Sequence, residues 1–131
     1  VRAAIGEAER RTSGEIRVHL DCYSREIPVE KAKRVFHQLG MTGTKARNGV
    51  LIYLATEDRK FAILGDEGIH RVVPENYWEG VKEKMQNQFR DGRVCEGICL
   101  GIREIEEKLK TYFPVEKNDR NELPDSISEE K

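Results

Sequence analysis

Two adjacent carboxylates, Asp66 and Glu67, stand between Gly65 and Gly68. Like charges so close repel each other, and a bound divalent cation would relieve that repulsion. Ca²⁺ accepts about six to eight oxygens from irregular loops, whereas Mg²⁺ demands a stricter octahedron. Two other segments carry further oxygen donors, Thr12-Ser13-Gly14-Glu15 and Arg47-Asn48-Gly49. A cation site built from these loops would take Glu15, Asn48, Asp66 and Glu67 as ligands, with Ca²⁺ preferred and Mg²⁺ second. Ser13, Arg47 and His70 would stand beside it as ligand contacts. Arg47 could hold a phosphate there by charge-assisted hydrogen bonds. A plainer reading stands next to this one: Ser13 caps a turn, Asp66 caps a helix, and the glycines only permit positive φ.

A rival cluster comprises Asp21, Cys22 and Tyr23 together with Glu57 and Asp58. Ligands of open parallel sheets usually sit at the carboxyl ends of strands, where this cluster would fall. A tight hairpin closes that end, however, and a solvated turn is the expectation. His19 alternates outward on a strand and His37 lies off an apolar stripe, so both are expected at the surface. Lys31, Lys33 and Arg34 are expected on a solvated helix face. Cys95 and Cys99 share a helix face as small core residues. The chain contains no GxSxG, P-loop, HExxH or GxGxxG motif.

The elements that must position these residues are readable from hydrophobic period. Ala4, Ile5 and Ala8 fit the end of an amphipathic helix. Ile16, Val18 and Leu20 alternate with Arg17 and His19, as in a strand with one buried face. Pro28 suits a first helical turn, Ala32, Val35, Phe36 and Leu39 give 3/4 spacing, and Gly40 is a natural stop. Residues 49–55 are continuously apolar, as in a central strand covered on both faces. Phe61-Ala62-Ile63-Leu64 returns as a hairpin partner. Tyr77, Trp78, Val81, Met85 and Phe89 form one helical stripe; Cys95, Ile98, Cys99, Ile102, Ile105, Leu109, Tyr112 and Phe113 form another. Helix-linked strands one and two are expected parallel with a right-handed crossover. Strand three then pairs antiparallel with strand two. The expected fold class is α/β, a three-layer α/β/α sandwich with a small mixed sheet. Its topology gathers Ser13, Glu15, Asn48, Asp66 and Glu67 at one end of the sheet.

The 131 residues suffice for one domain, and 36% of them are charged. The net charge of −1 argues against a nucleic-acid binder, which usually carries a basic excess. No apolar run approaches the roughly 20 residues that cross a bilayer. Residues 115–131 hold six acids and three bases, a net of −3, with little apolar surface. They are expected to be a disordered acidic tail behind a domain of residues 1–114. Three cysteines make no disulfide framework, so the reducing cytoplasm is the expected compartment and a monomer the expected state. The sequence starts at Val1, and a removed leader stays open.

Thr12-Ser-Gly-Glu-Ile-Arg-Val18, Arg47-Asn-Gly-Val-Leu-Ile-Tyr53 and Asp58-Arg-Lys-Phe-Ala-Ile-Leu-Gly-Asp-Glu-Gly68 resemble the motifs of the TPM domain family. Phe89-Arg-Asp-Gly92 and Gly97-Ile-Cys-Leu-Gly101 resemble its closing helices. The resemblance covers most of residues 1–114 and implies the same sandwich fold. It also implies a site in the same loops, with Ca²⁺ binding in some relatives and acid phosphatase activity in plant relatives. Many relatives place an aromatic between two glycines after the third strand, where this chain has Asp66 and Glu67. That change adds carboxylate and favours a cation. Three functions follow as expectations: a Ca²⁺-binding domain, a metal-dependent phosphatase, or a protein-interaction module.

Overall fold

The computed structural model describes residues 5–6, 12–44, 46–74 and 76–114, and the backbone of 127–130. Four strands form one sheet in the order β3-β2-β1-β4. Strand β1 (Glu15–Asp21) lies parallel to β2 (Gly49–Ala55), with Glu15 opposite Gly49 and Asp21 opposite Ala55. Strand β3 (Lys60–Gly65) returns antiparallel to β2. The crossover between β1 and β2 carries helix α1 (Pro28–Gln38), followed by a 3₁₀ turn at Met41–Gly43. A short helix α2 (Glu67–His70) follows β3, and α3 (Tyr77–Arg90) and α4 (Val94–Tyr112) form an antiparallel pair.

The layers follow from the period of each element. Ile16 and Val18 of β1 and Val50, Ile52 and Leu54 of β2 point to one face, where they meet Val81, Met85, Ile98, Ile102, Ile105 and Leu109. Leu51, Tyr53 and Ala55 point to the other, against Ala32, Val35 and Phe36 of α1. The run 49–55 is buried throughout, as a strand covered on both faces must be. Pro28 opens α1, and Gly40 leaves it in the left-handed region with φ 68°. The sandwich is therefore three-layered, as its periodicity implies.

Three details depart from the expectation. Cys95 is exposed and Cys99 only half-buried. The small residues that let α4 approach α3 are Gly97 and Gly101, where an added Cβ would run into Phe89 and Met85. Second, the segment expected to be disordered supplies a strand: β4 (Ile127–Glu130) runs parallel to β1, from Val18 opposite Ile127 to Asp21 opposite Glu130. An open strand edge offers unpaired amides and carbonyls, so a segment poor in apolar surface can still dock on it. Residues 115–126 and 131 of that tail lie outside the described residues. Third, Ile5 and Gly6 are helical, while Ala4 and Ala8 of the expected first helix fall outside the described residues.

Candidate functional site

Three segments meet at the end of the sheet where β1 and β2 begin and β3 finishes. Backbone bonds fasten them: Asp66 N–H donates to the Gly49 carbonyl, and Gly68 N–H to the Arg47 carbonyl, both at 2.9 Å. Gly68 sits so close to this loop that a Cβ would overlap the Ala46 and Arg47 carbonyls. Arg47 itself has φ 52°, a left-handed conformation that aims its side chain across the junction.

The guanidinium is the centre of the cluster. Its Nε donates to Asp66 Oδ2 at 2.7 Å and its Nη2 to Asp66 Oδ1 at 2.9 Å. Nη1 lies 3.4 Å from Glu67 Oε1. Oδ1 of Asp66 also accepts the Glu67 N–H at 2.8 Å, so Asp66 caps α2. The hydrogen bonds to Asp66 raise the pKa of Arg47 above its ordinary value. Asp66 is buried, whereas Glu67 is exposed, and its Oε1 is also approached by Arg71 Nη2 at 3.6 Å.

The remaining expected site residues fall into separate places. Asn48 is buried, and its Nδ2 reaches Ser13 Oγ at 3.5 Å. Its own N–H donates to Thr44 Oγ1 at 3.1 Å. Ser13 N–H donates to the Phe113 carbonyl at 2.8 Å, which fastens the start of β1 to the end of α4. Glu15 is buried at the first position of β1. His70 is exposed and edge-on to Trp78, with ring centroids 6.0 Å apart. Arg47, Asp66 and Glu67 thus form one cluster and Ser13 with Asn48 a second, while His70 stands apart. Among the described residues, no group of three or more His, Cys, Asp or Glu side chains is placed to hold a metal ion.

The opposite end holds an arrangement that the sequence reading missed. Asp21 is 5% exposed rather than part of a solvated turn. Its Oδ2 accepts the Tyr53 hydroxyl at 2.6 Å, and its Oδ1 lies 3.0 Å from His19 Nε2. Lys31 Nζ stands 3.8 Å from Oδ2. His19 and Lys31, both expected at the surface, are buried. The His19 ring stacks on Tyr53 at 5.9 Å and 17°. Beside them opens a cavity of about 610 Å³, lined by Asp21, Tyr23, Arg25, Glu26, Lys31 and Arg34 among others. One signal was available: Arg17, His19 and Asp21 repeat with period two on a face that a central strand must bury.

The TPM domain model matches residues 1–108 of the chain. Among solved structures, the chain is similar to the BA42 protein of the psychrophilic bacterium Bizionia argentinensis. The two share 45% identity at a TM-score of 0.91, over 98% of this chain and 89% of that one. The N-terminal domain of a protein from P. gingivalis matches at 20% identity and a TM-score of 0.69, over 85% and 72% of the two chains. An N-terminal domain from Corynebacterium glutamicum matches at 14% and 0.53, over 98% and 74%. At those identities the last two relate by fold alone. No curated protein matches the chain.

Proposed function

The chain belongs to the TPM domain family, and from that premise we propose that it is a divalent-cation-binding domain that prefers Ca²⁺ to Mg²⁺. The observation that carries this reading is the guanidinium seated across Asp66 and Glu67. That end of the sheet builds a two-carboxylate seat for positive charge, and Arg47 is the charge that fills it. Its side chain is 40% exposed, so it has room to swing out when a dication arrives. Glu67 is the exposed first ligand and Asp66 joins once Arg47 leaves; Asn48 and Glu15 would complete the shell with loop carbonyls only by moving in from their separate positions. Competition with a resident guanidinium makes the affinity modest. Calcium tolerates the irregular loop geometry better than magnesium does.

The test is a Ca²⁺ titration followed by amide shifts. Shifts should cluster at residues 12–15, 46–49 and 65–70. Arg47→Gln should tighten binding by removing the competing charge, and Asp66→Asn should weaken it. An absence of shifts at millimolar Ca²⁺ would remove the cation from the account, and shifts confined to Asp21, Glu57 and Asp58 would relocate it.

A further inference from the structure

The β1–α1 connection concentrates features that the cation reading does not use. Of the five large hydrophobic side chains most exposed among the described residues, two lie here and a third in the first turn of α1: Tyr23 at 65%, Ile27 at 69% and Val29 at 39%. Apolar surface gathered beside charged groups marks a contact site more often than scattered apolar residues do. Arg25, Lys31 and Arg34 line the adjoining cavity, against Asp21 and Glu26. Arg34 pairs with Glu26, and Lys31 stands 3.8 Å from Asp21, which leaves Arg25 as the surplus charge. The cavity wall is therefore net basic.

An acidic segment already approaches this place. Strand β4 runs parallel to β1 and sets Glu129 opposite Leu20 and Glu130 opposite Asp21. It thus heads toward the end of β1 where the cavity opens. By sequence that segment, Ile127-Ser-Glu-Glu130, is acidic, opposite in sign to the cavity wall. The pairing holds four residues on a sheet edge.

We propose that the free edge of β1 and the basic cavity at its carboxyl end form a docking groove for an extended acidic peptide, occupied in this chain by its own Ile127–Glu130. A partner would add to β1 as a parallel strand, gaining main-chain hydrogen bonds from the edge and charge contacts from Arg25 and its neighbours. The chain's own tail is tethered, so it competes at an effective concentration in the millimolar range and sets a threshold for displacement.

The test uses a fluorescein-labelled peptide of residues 121–131 and the full chain. Successive residues of a strand turn their amides to opposite sides, so the double variant Ser128→Pro, Glu129→Pro removes pairing by the tail in either phase. That variant should bind the peptide at least tenfold more tightly than the native chain. The peptide should shift amides at residues 18–25 and 31–34. Raising the salt, replacing Glu129 and Glu130 of the peptide by Gln, or adding Arg25→Glu to the protein should each weaken binding several-fold. Equal binding by native chain and double-proline variant would overturn the proposal, as would undiminished binding of the Gln peptide or shifts elsewhere. None of these readouts depends on Ca²⁺ or on Asp66, so the cation reading and this one fail separately.

Discussion

Each end of the sheet holds a buried aspartate, but the two are satisfied differently. Asp66 is clasped by a guanidinium with two short bonds and by a backbone amide, all from loops next to it in space. Asp21 is satisfied by a tyrosine hydroxyl and a histidine from within the sheet, with Lys31 farther off at 3.8 Å. The first arrangement draws three segments together and leaves its charged groups near water. The second buries polar groups in the sandwich itself, next to a cavity. The difference is one of dielectric: an exposed cluster exchanges partners at little cost, whereas a buried one is expensive to disturb. Ligand exchange is therefore expected at the Asp66 end, and structural sensitivity at the Asp21 end.

That contrast can be broken by mutation. Asp21→Ala should have the largest effect, because it removes a buried acceptor of the Tyr53 hydroxyl and the carboxylate 3.8 Å from Lys31. Removing one partner from a buried charged network typically costs about 3–5 kcal/mol. Urea unfolding should show a midpoint far below that of the parent chain, and near-parental stability would put Asp21 in contact with water. Gly68→Ala comes next, at about 1–3 kcal/mol, since its Cβ meets backbone carbonyls that cannot rotate away. Its loss should be larger than that of Gly43→Ala, where no atom lies within reach of a Cβ.

Smaller effects sharpen the comparison. Asp66→Ala removes the cap of α2, a loss of about 0.5–2 kcal/mol by thermal or urea melting. If it destabilises more than Asp21→Ala, the roles assigned to the two ends are reversed. Lys84→Ala, away from both ends, breaks an ion pair with Glu104 at 3.0 Å on an open surface. It should shift stability by about 0.2–1 kcal/mol. An effect as large as that of Gly68→Ala would mean that surface charge carries more of this fold than packing does.

The elements were largely legible because their signals are local. The apolar run at 49–55 and the stripe of Ala32, Val35 and Phe36 report burial within a few residues, whereas the alternation in β1 marks a strand but not its one buried face, since Arg17, His19 and Asp21 are buried and Leu20 is half-buried. The tail was not legible in the same way. Its composition says that it cannot build a core, yet pairing on an edge strand depends on backbone groups that every residue carries. His19 was placed at the surface because a period of two separates the faces of a strand without saying what covers each face; Lys31 was placed there with Lys33 and Arg34, yet its ammonium stands 3.8 Å from Asp21 at the sheet. Cys95 and Cys99 have the spacing of core residues, but the close approach of α3 and α4 is made by glycines.

The sequence by itself determined the order of β1, β2, β3 and the helices among them, the two apolar faces of β2, and the placing at one end of the segments that carry Ser13, Glu15, Asn48, Asp66 and Glu67. These follow from residue periods and from the few ways that short connections can cross. Only the tertiary structure decided how those side chains are used. Arg47 and Asp66 stand 19 positions apart and meet through the hairpin, and Asp21 and Tyr53 stand 32 apart and meet through parallel pairing. A carboxylate beside a glycine has the same spacing whether it awaits a cation or holds an arginine. Which of the two it does depends on distance and burial, and both are set by contacts between segments remote in the chain.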